Sequence, residues 1–159
     1  MNMSMAPNTF LLVEDSNADA VLLRRAFSKA HIVNPVRVTV TGEEALAYLS
    51  GSGKYSDRRL FPIPSVILLD LNLPGISGFE VLAWVRQQPH LSHVRIVILT
   101  ASDDSHQVKQ AYQLGAASYL VKPNDLDELA SFAQALGGFW QWEAATPEAP
   151  PQPEPVHSA

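Results

Sequence analysis

At 159 residues, with 47% hydrophobic and 17% charged side chains, the chain is sized for one domain with a real core and is too apolar to be disordered throughout. A formal net charge of -5 argues against nucleic acid as the main partner, and the absence of cysteine removes disulfides, thiol nucleophiles and cysteine-based zinc sites. No apolar run approaches a membrane span, and the N-terminus lacks the basic-then-apolar order of a secretory signal, so the expectation is a cytoplasmic protein without a membrane partner.

Residues 1–7 read as a flexible lead. The short apolar run Thr9–Val13 then reads as a buried strand that ends on Glu14-Asp15. Ser16 or Asn17 can cap the following helix, whose expected apolar stripe is Val21, Leu22, Ala26 and Ala30. Val36–Val40 alternates like a half-buried edge strand. Thr41 then caps a helix to Leu49, with Glu44 three residues on in a capping-box pattern. Residues 50–64 form a polar loop that is long for an α/β connection. Its Gly53-Lys54 does not make a phosphate-binding loop, because Tyr48 and Tyr55 stand where that motif needs Gly and Ser or Thr.

The run Val66-Ile67-Leu68-Leu69 reads as a strand buried on both faces, stopped by Pro74-Gly75, with Asp70 at its carboxyl end. A helix from Ser77, carrying Phe79, Val81, Leu82 and Val85, ends at Pro89. Val94–Leu99 is a fourth strand running into Thr100-Ala101-Ser102. Ser102 or Asp103 caps a helix to Leu114, stopped by Gly115. Ala117–Val121 is a fifth strand ending on Lys122-Pro123. The last helix carries Leu126, Leu129, Ala133, Leu136 and Trp140, with Phe132 and Phe139 on a second line. The Pro-rich segment 142–159 reads as a disordered tail. Five alternations of strand and helix predict one three-layer α/β domain with a parallel sheet over residues 8–141.

The carboxyl ends of parallel strands share one edge, which gathers Glu14, Asp15, Asp70, Thr100 and Lys122. Alone, Asp70 is either a loop former or a reactive or metal-binding carboxylate. Three crowded carboxylates need a divalent cation, and an oxygen-only donor set favours Mg²⁺. A lysine and a hydroxyl beside them suit phosphoryl oxygens, and Asp70 could accept a phosphoryl group as an acyl phosphate. His90 and His93, on a loop, are a much weaker metal candidate.

This set, in this order and on these strand ends, resembles the receiver domains of two-component response regulators. The resemblance implies a flavodoxin-like (βα)5 fold with sheet order 2-1-3-4-5. It implies Asp70 as phosphoacceptor from the phosphohistidine of a sensor histidine kinase, and Mg²⁺ on Asp15, Asp70 and the Asn72 carbonyl, with Glu14 acting through water. It implies Lys122 and the Ala101 N–H on the phosphoryl oxygens, a cis Lys122-Pro123 bond, and Asn72 and Ser102 as flanking modulators. Thr100 would turn to the phosphoryl group and Tyr119 would follow into the space left, repacking the face of the fourth helix, fifth strand and fifth helix. The long loop before Pro64 and the Phe139-Trp140 ending resemble, more narrowly, single-domain regulators of phytochrome-type kinases, which implies a homodimer through that face. The competing reading is an aspartyl-phosphate phosphohydrolase. It wants a proton-donating Asp where Asn72 stands, so turnover of external phosphate esters is not expected.

Overall fold

In the computed structural model the backbone is described for residues 8–145 and the side chains for residues 8–136. Five strands, β1 (Phe10–Val13), β2 (Val36–Thr39), β3 (Val66–Leu69), β4 (Arg95–Thr100) and β5 (Ser118–Val121), alternate with five helices. These are α1 (Asn17–Lys29), α2 (Gly42–Ser50), α3 (Gly78–Arg86), α4 (Ser105–Gln113) and α5 (Leu126–Ala145). The strands form one parallel sheet in the order β2-β1-β3-β4-β5, as expected. The expectations for residues 1–7, for residues 146–159 of the tail and for the Phe139, Trp140 and Trp142 side chains lie outside the described residues, while residues 142–145, expected in the tail, continue α5.

Alternation along the strands builds two cores. Leu11, Val13, Ile67, Leu69, Ile96 and Ile98 face one side, under Ala45, Leu49, Leu82 and Val85 of α2 and α3. Phe10, Leu12, Val66, Leu68, Val97 and Leu99 face the other, under Leu23, Ala26 and Phe27 of α1 and Leu129, Ala133 and Leu136 of α5. Covering on both faces explains why the inner strands read as continuous apolar runs. Each fully buried aliphatic side chain contributes about 1.5–3 kcal/mol.

Several local expectations shift. The buried stripe of α1 is Ala20, Leu23, Ala26 and Phe27, and Val21 is exposed at 46%. Seating Phe27 edge-on against Phe10 turns the helix away from the expected face. The cap of α4 is Asp104, whose carboxylate accepts the His106 N–H at 2.8 Å, one or two residues later than expected. Thr41 does cap α2, but Glu44 does not close the box. Its carboxylate accepts the Val40 N–H at 2.9 Å and the Tyr55 hydroxyl at 2.6 Å. The reciprocal box forms at Ser77 and Glu80, ahead of α3.

The long loop is tied down, not loose. Tyr55 is buried against Tyr48 and Phe61, and Arg58 donates to the α2 carbonyls of Tyr48 and Leu49 at 2.8 Å each. Burial, reinforced by the Glu44 carboxylate, pushes the Tyr55 phenol up to about 12. Burial also works to raise Glu44, but the Tyr55 hydroxyl and Val40 N–H donated to it prevail, and its carboxyl lies below the usual value.

Gly78 sets how closely α3 approaches the end of β3. A Cβ there would lie 2.3 Å from the Asp70 carbonyl oxygen and 2.7 Å from the Leu71 Cα, both backbone atoms that cannot swing aside. Gly78→Ala is expected to lower unfolding free energy by about 2–3 kcal/mol, read as a lower urea midpoint at unchanged slope. For the loop, the Tyr55 hydrogen bond stabilises below the ordinary tyrosine value, near pH 10, and is lost as pH rises through about 12. On the acid side, the Glu44 contribution is present above its unfolded value and lost as pH falls through its lowered one. Ultraviolet titration should show Tyr55→Phe removing a phenolate transition near 12, and Glu44→Gln moving that transition down.

Candidate functional site

The register of the sheet places the site. Val13 pairs with Leu69, and Leu69 with Ile98, so the next residues of β1 and β3, Glu14 and Asp70, emerge side by side. The ladder runs one step further through Asp70 N–H to Val13 O at 3.1 Å and Lys122 N–H to Thr100 O at 2.7 Å. Side chains from four strand ends therefore meet at one edge.

Asp70 is 6% exposed, and both of its carboxylate oxygens are engaged. Oδ1 accepts the Thr100 hydroxyl at 2.9 Å and the Asn72 N–H at 3.0 Å, and Oδ2 accepts Lys122 Nζ at 3.0 Å. Lys122 reaches two further carboxylates, Glu14 Oε1 at 2.6 Å and Asp19 Oδ2 at 2.8 Å. Burial works against the ammonium, but donation to Asp19, Glu14 and Asp70 outweighs it and holds the Lys122 pKa well above the usual lysine value. Burial raises the Glu14 carboxyl, opposed by its bonds from Lys122 and the Ser16 N–H. Glu14, Asp15, Asp19 and Asp70 thus set four carboxylates against one ammonium.

Glu14, Asp15 and Asp70 each offer a carboxylate oxygen, all within 4.8 Å of one another. Glu14 and Asp70 are buried, whereas Asp15 is exposed and open to solvent. Hard oxygen donors with surplus negative charge and one open flank fit a divalent cation that keeps several waters.

The neighbouring candidates divide. Ala101 is exposed at the end of β4, beside the site. The Ser102 hydroxyl accepts the Asp104 N–H at 3.2 Å, and the Ser102 carbonyl accepts the Tyr119 hydroxyl at 2.7 Å. Tyr119 is 2% exposed, so this hydroxyl bond is made by a buried ring. The Lys122-Pro123 bond is not cis, since no described peptide bond is. For an X-Pro bond trans is favoured by about 0.5–1 kcal/mol, and here that default stands. Asp19 is the residue that sequence reasoning missed. It sits in the first turn of α1, where acids are ordinary, and only its position four residues after Asp15 hints that it faces the same edge.

The family model for the response regulator receiver domain matches residues 10–134. The chain belongs to this family. Among its relatives, response regulator Rcp1 of Synechocystis sp. is 36% identical over 146 residues, covering 92% of this chain and 97% of Rcp1. The phosphorylated cyanobacterial phytochrome response regulator RcpA superposes with a TM-score of 0.79 at 33% identity, covering 90% of this chain and all of that one. An Mn²⁺-bound structure of Rcp1 gives a TM-score of 0.75 at 36% identity, over 91% of this chain and 99% of that one. The receiver site therefore sits in a chain that aligns with phytochrome response regulators over nearly their whole length. No helix among the described residues is long and apolar enough to cross a membrane.

If the crowded acids form the cation site, Mg²⁺ or Mn²⁺ should raise the melting temperature in a concentration-dependent way. Asp15→Asn should abolish that rise while leaving the metal-free protein as stable or slightly more so, because one repelling charge is gone. A metal-free variant that melts well below the parent would contradict this account of the cluster.

Proposed function

We propose that Asp70 accepts a phosphoryl group from a phosphohistidine on a sensor histidine kinase, with Mg²⁺ held by Asp15, Asp70 and the Asn72 carbonyl, and by Glu14 through water. The observation that supports this best is the Asp70 carboxylate itself, buried yet held between the Thr100 hydroxyl and the Lys122 ammonium. A carboxylate oxygen of Asp70 attacks phosphorus as the bond from phosphorus to the imidazole nitrogen breaks, and that nitrogen leaves with the electron pair and gains a proton from water. Bound Mg²⁺ supplies neutralisation of the acids and of the phosphoryl oxygens. Lys122 follows the charge as it moves from the carboxylate to the phosphoryl group, and the Ala101 N–H gives a second donor. Thr100 turns its hydroxyl from Asp70 to a phosphoryl oxygen. Tyr119, buried with its hydroxyl donated to the Ser102 carbonyl, follows Thr100 into the space left and repacks the face of α4, β5 and α5. Asn72 and Ser102 flank the acyl phosphate and modulate its lifetime.

The likeness to the phytochrome response regulator RcpA supports a phytochrome-type kinase as the donor. The output is protein contact through the face of α4, β5 and α5, by way of a homodimer. Supporting this, β5 is an outer strand and its Val121 is 38% exposed. We place the chain in the cytoplasm, where such kinases present their phosphohistidine, with no nucleic-acid partner. Catalysis is confined to the chain's own phosphorylation and dephosphorylation, since Asn72 offers no proton to an external leaving group.

Incubation with Mg²⁺ and acetyl phosphate should label the chain once, in a form stable to acid and cleaved by hydroxylamine, and Asp70→Asn should lose the label. Steady turnover of a generic phosphate ester would favour the hydrolase reading instead. Size-exclusion chromatography with and without donor tests the dimer, and Val121→Asp should yield monomer; an unchanged monomer in every sample counts against it.

A further inference from the structure

We propose that Asp19 is a positioning residue for Lys122: its carboxylate tethers the ammonium beside Asp70 while the other two carboxylates are drawn to cation and phosphoryl group. The proposal rests on the phosphoacceptor reading of Asp70 and adds a residue to it. An ammonium has three N–H donors, and here Glu14 at 2.6 Å, Asp19 at 2.8 Å and Asp70 at 3.0 Å take them all. Glu14 and Asp70 belong to the carboxylate cluster that fits a divalent cation, and Asp70 must also form the new bond to phosphorus. Asp19 lies outside that cluster, so among these three acids it alone has no second task.

Its mounting suits a tether. Asp19 N–H donates to the capping Ser16 Oγ at 3.2 Å, and Ser16 N–H donates to Glu14 Oε2 at 3.1 Å, which joins the first turn of α1 to the end of β1. The helix behind it is anchored by buried Leu23, Ala26 and Phe27. The lysine is less well held by packing. A cavity of about 30 Å³, lined by Leu22, Leu23, Leu129 and Pro123 together with Asp19, lies against Lys122 and leaves its stem room to shift. With that room beside the stem, the ammonium is held by its three carboxylate partners, and Asp19 is the one that stands outside the cation cluster.

The test is a double-mutant cycle on the full chain with acetyl phosphate and Mg²⁺. Asp19→Asn should slow labelling of Asp70 about five- to tenfold, the loss of one charge-assisted hydrogen bond, and Asp19→Glu should recover most of the rate. In a Lys122→Ala background Asp19→Asn should add nothing, and Mn²⁺ affinity should change less than about twofold, because no ligand is removed. The unphosphorylated protein gives a separate readout: the Lys122 ammonium should show a protected nitrogen-15 NMR signal that Asp19→Asn abolishes. Equal slowing with and without Lys122, or an unchanged ammonium signal, overturns the proposal. Failure of the parent chain to label at all would sink the phosphoacceptor reading instead, and the ammonium signal would still decide the role of Asp19.

Discussion

A single ammonium at the sheet edge is the constraint on which the rest depends. Lys122 stands against Glu14, Asp19 and Asp70, and without it the strand ends would gather mutually repelling carboxylates in a half-buried cleft. It is not enough alone, since Asp15 adds a fourth acid. The surplus negative charge is what suits the edge to a divalent cation and, with that cation bound, to a phosphoryl group. Stability is therefore given up at the position where chemistry is to occur.

The fold serves this edge. Parallel pairing puts every strand's carboxyl end on the same side, and the register delivers Glu14, Asp70 and Lys122 without any long reach. Two apolar layers keep the strands fixed, so the site inherits its geometry from the core and not from its loops. Gly78 lets α3 lie against the Asp70 carbonyl, which ties the loop after β3 to the same frame. On the other side, the chain leads from Thr100 to the Ser102 carbonyl, which accepts the hydroxyl of Tyr119 on outer strand β5, and the proposed function uses this link to carry a change at Asp70 outward.

The five strands and the gathering of Glu14, Asp15, Asp70, Thr100 and Lys122 at one edge were legible in the sequence because strand periodicity and strand-end residue type are local signals that parallel topology then combines, whereas the order of the strands came from the family resemblance. What was not legible depended on packing across elements. The face of α1 was misread because Val21 and Leu22 are as apolar as Leu23 and Phe27, and only contact with Phe10 and α5 chooses between them. Glu44 had the spacing of a capping box, but the burial of Tyr55 eleven residues on offered its carboxylate a better donor. Asp19 was overlooked because an acid in a first helical turn is explained by the helix dipole alone, and its partner is more than a hundred residues away. The cis expectation at Lys122-Pro123 came from the family resemblance and is not met.

The central claim is that the buried carboxylate at position 70 is the nucleophile. Borohydride reduction of the phosphodonor-treated protein converts an aspartyl phosphate to homoserine, and peptide mass spectrometry then locates it. The account predicts homoserine at position 70 and at no other aspartate. Homoserine at Asp15 or Asp19 with position 70 intact, or a label that borohydride does not convert, would contradict it.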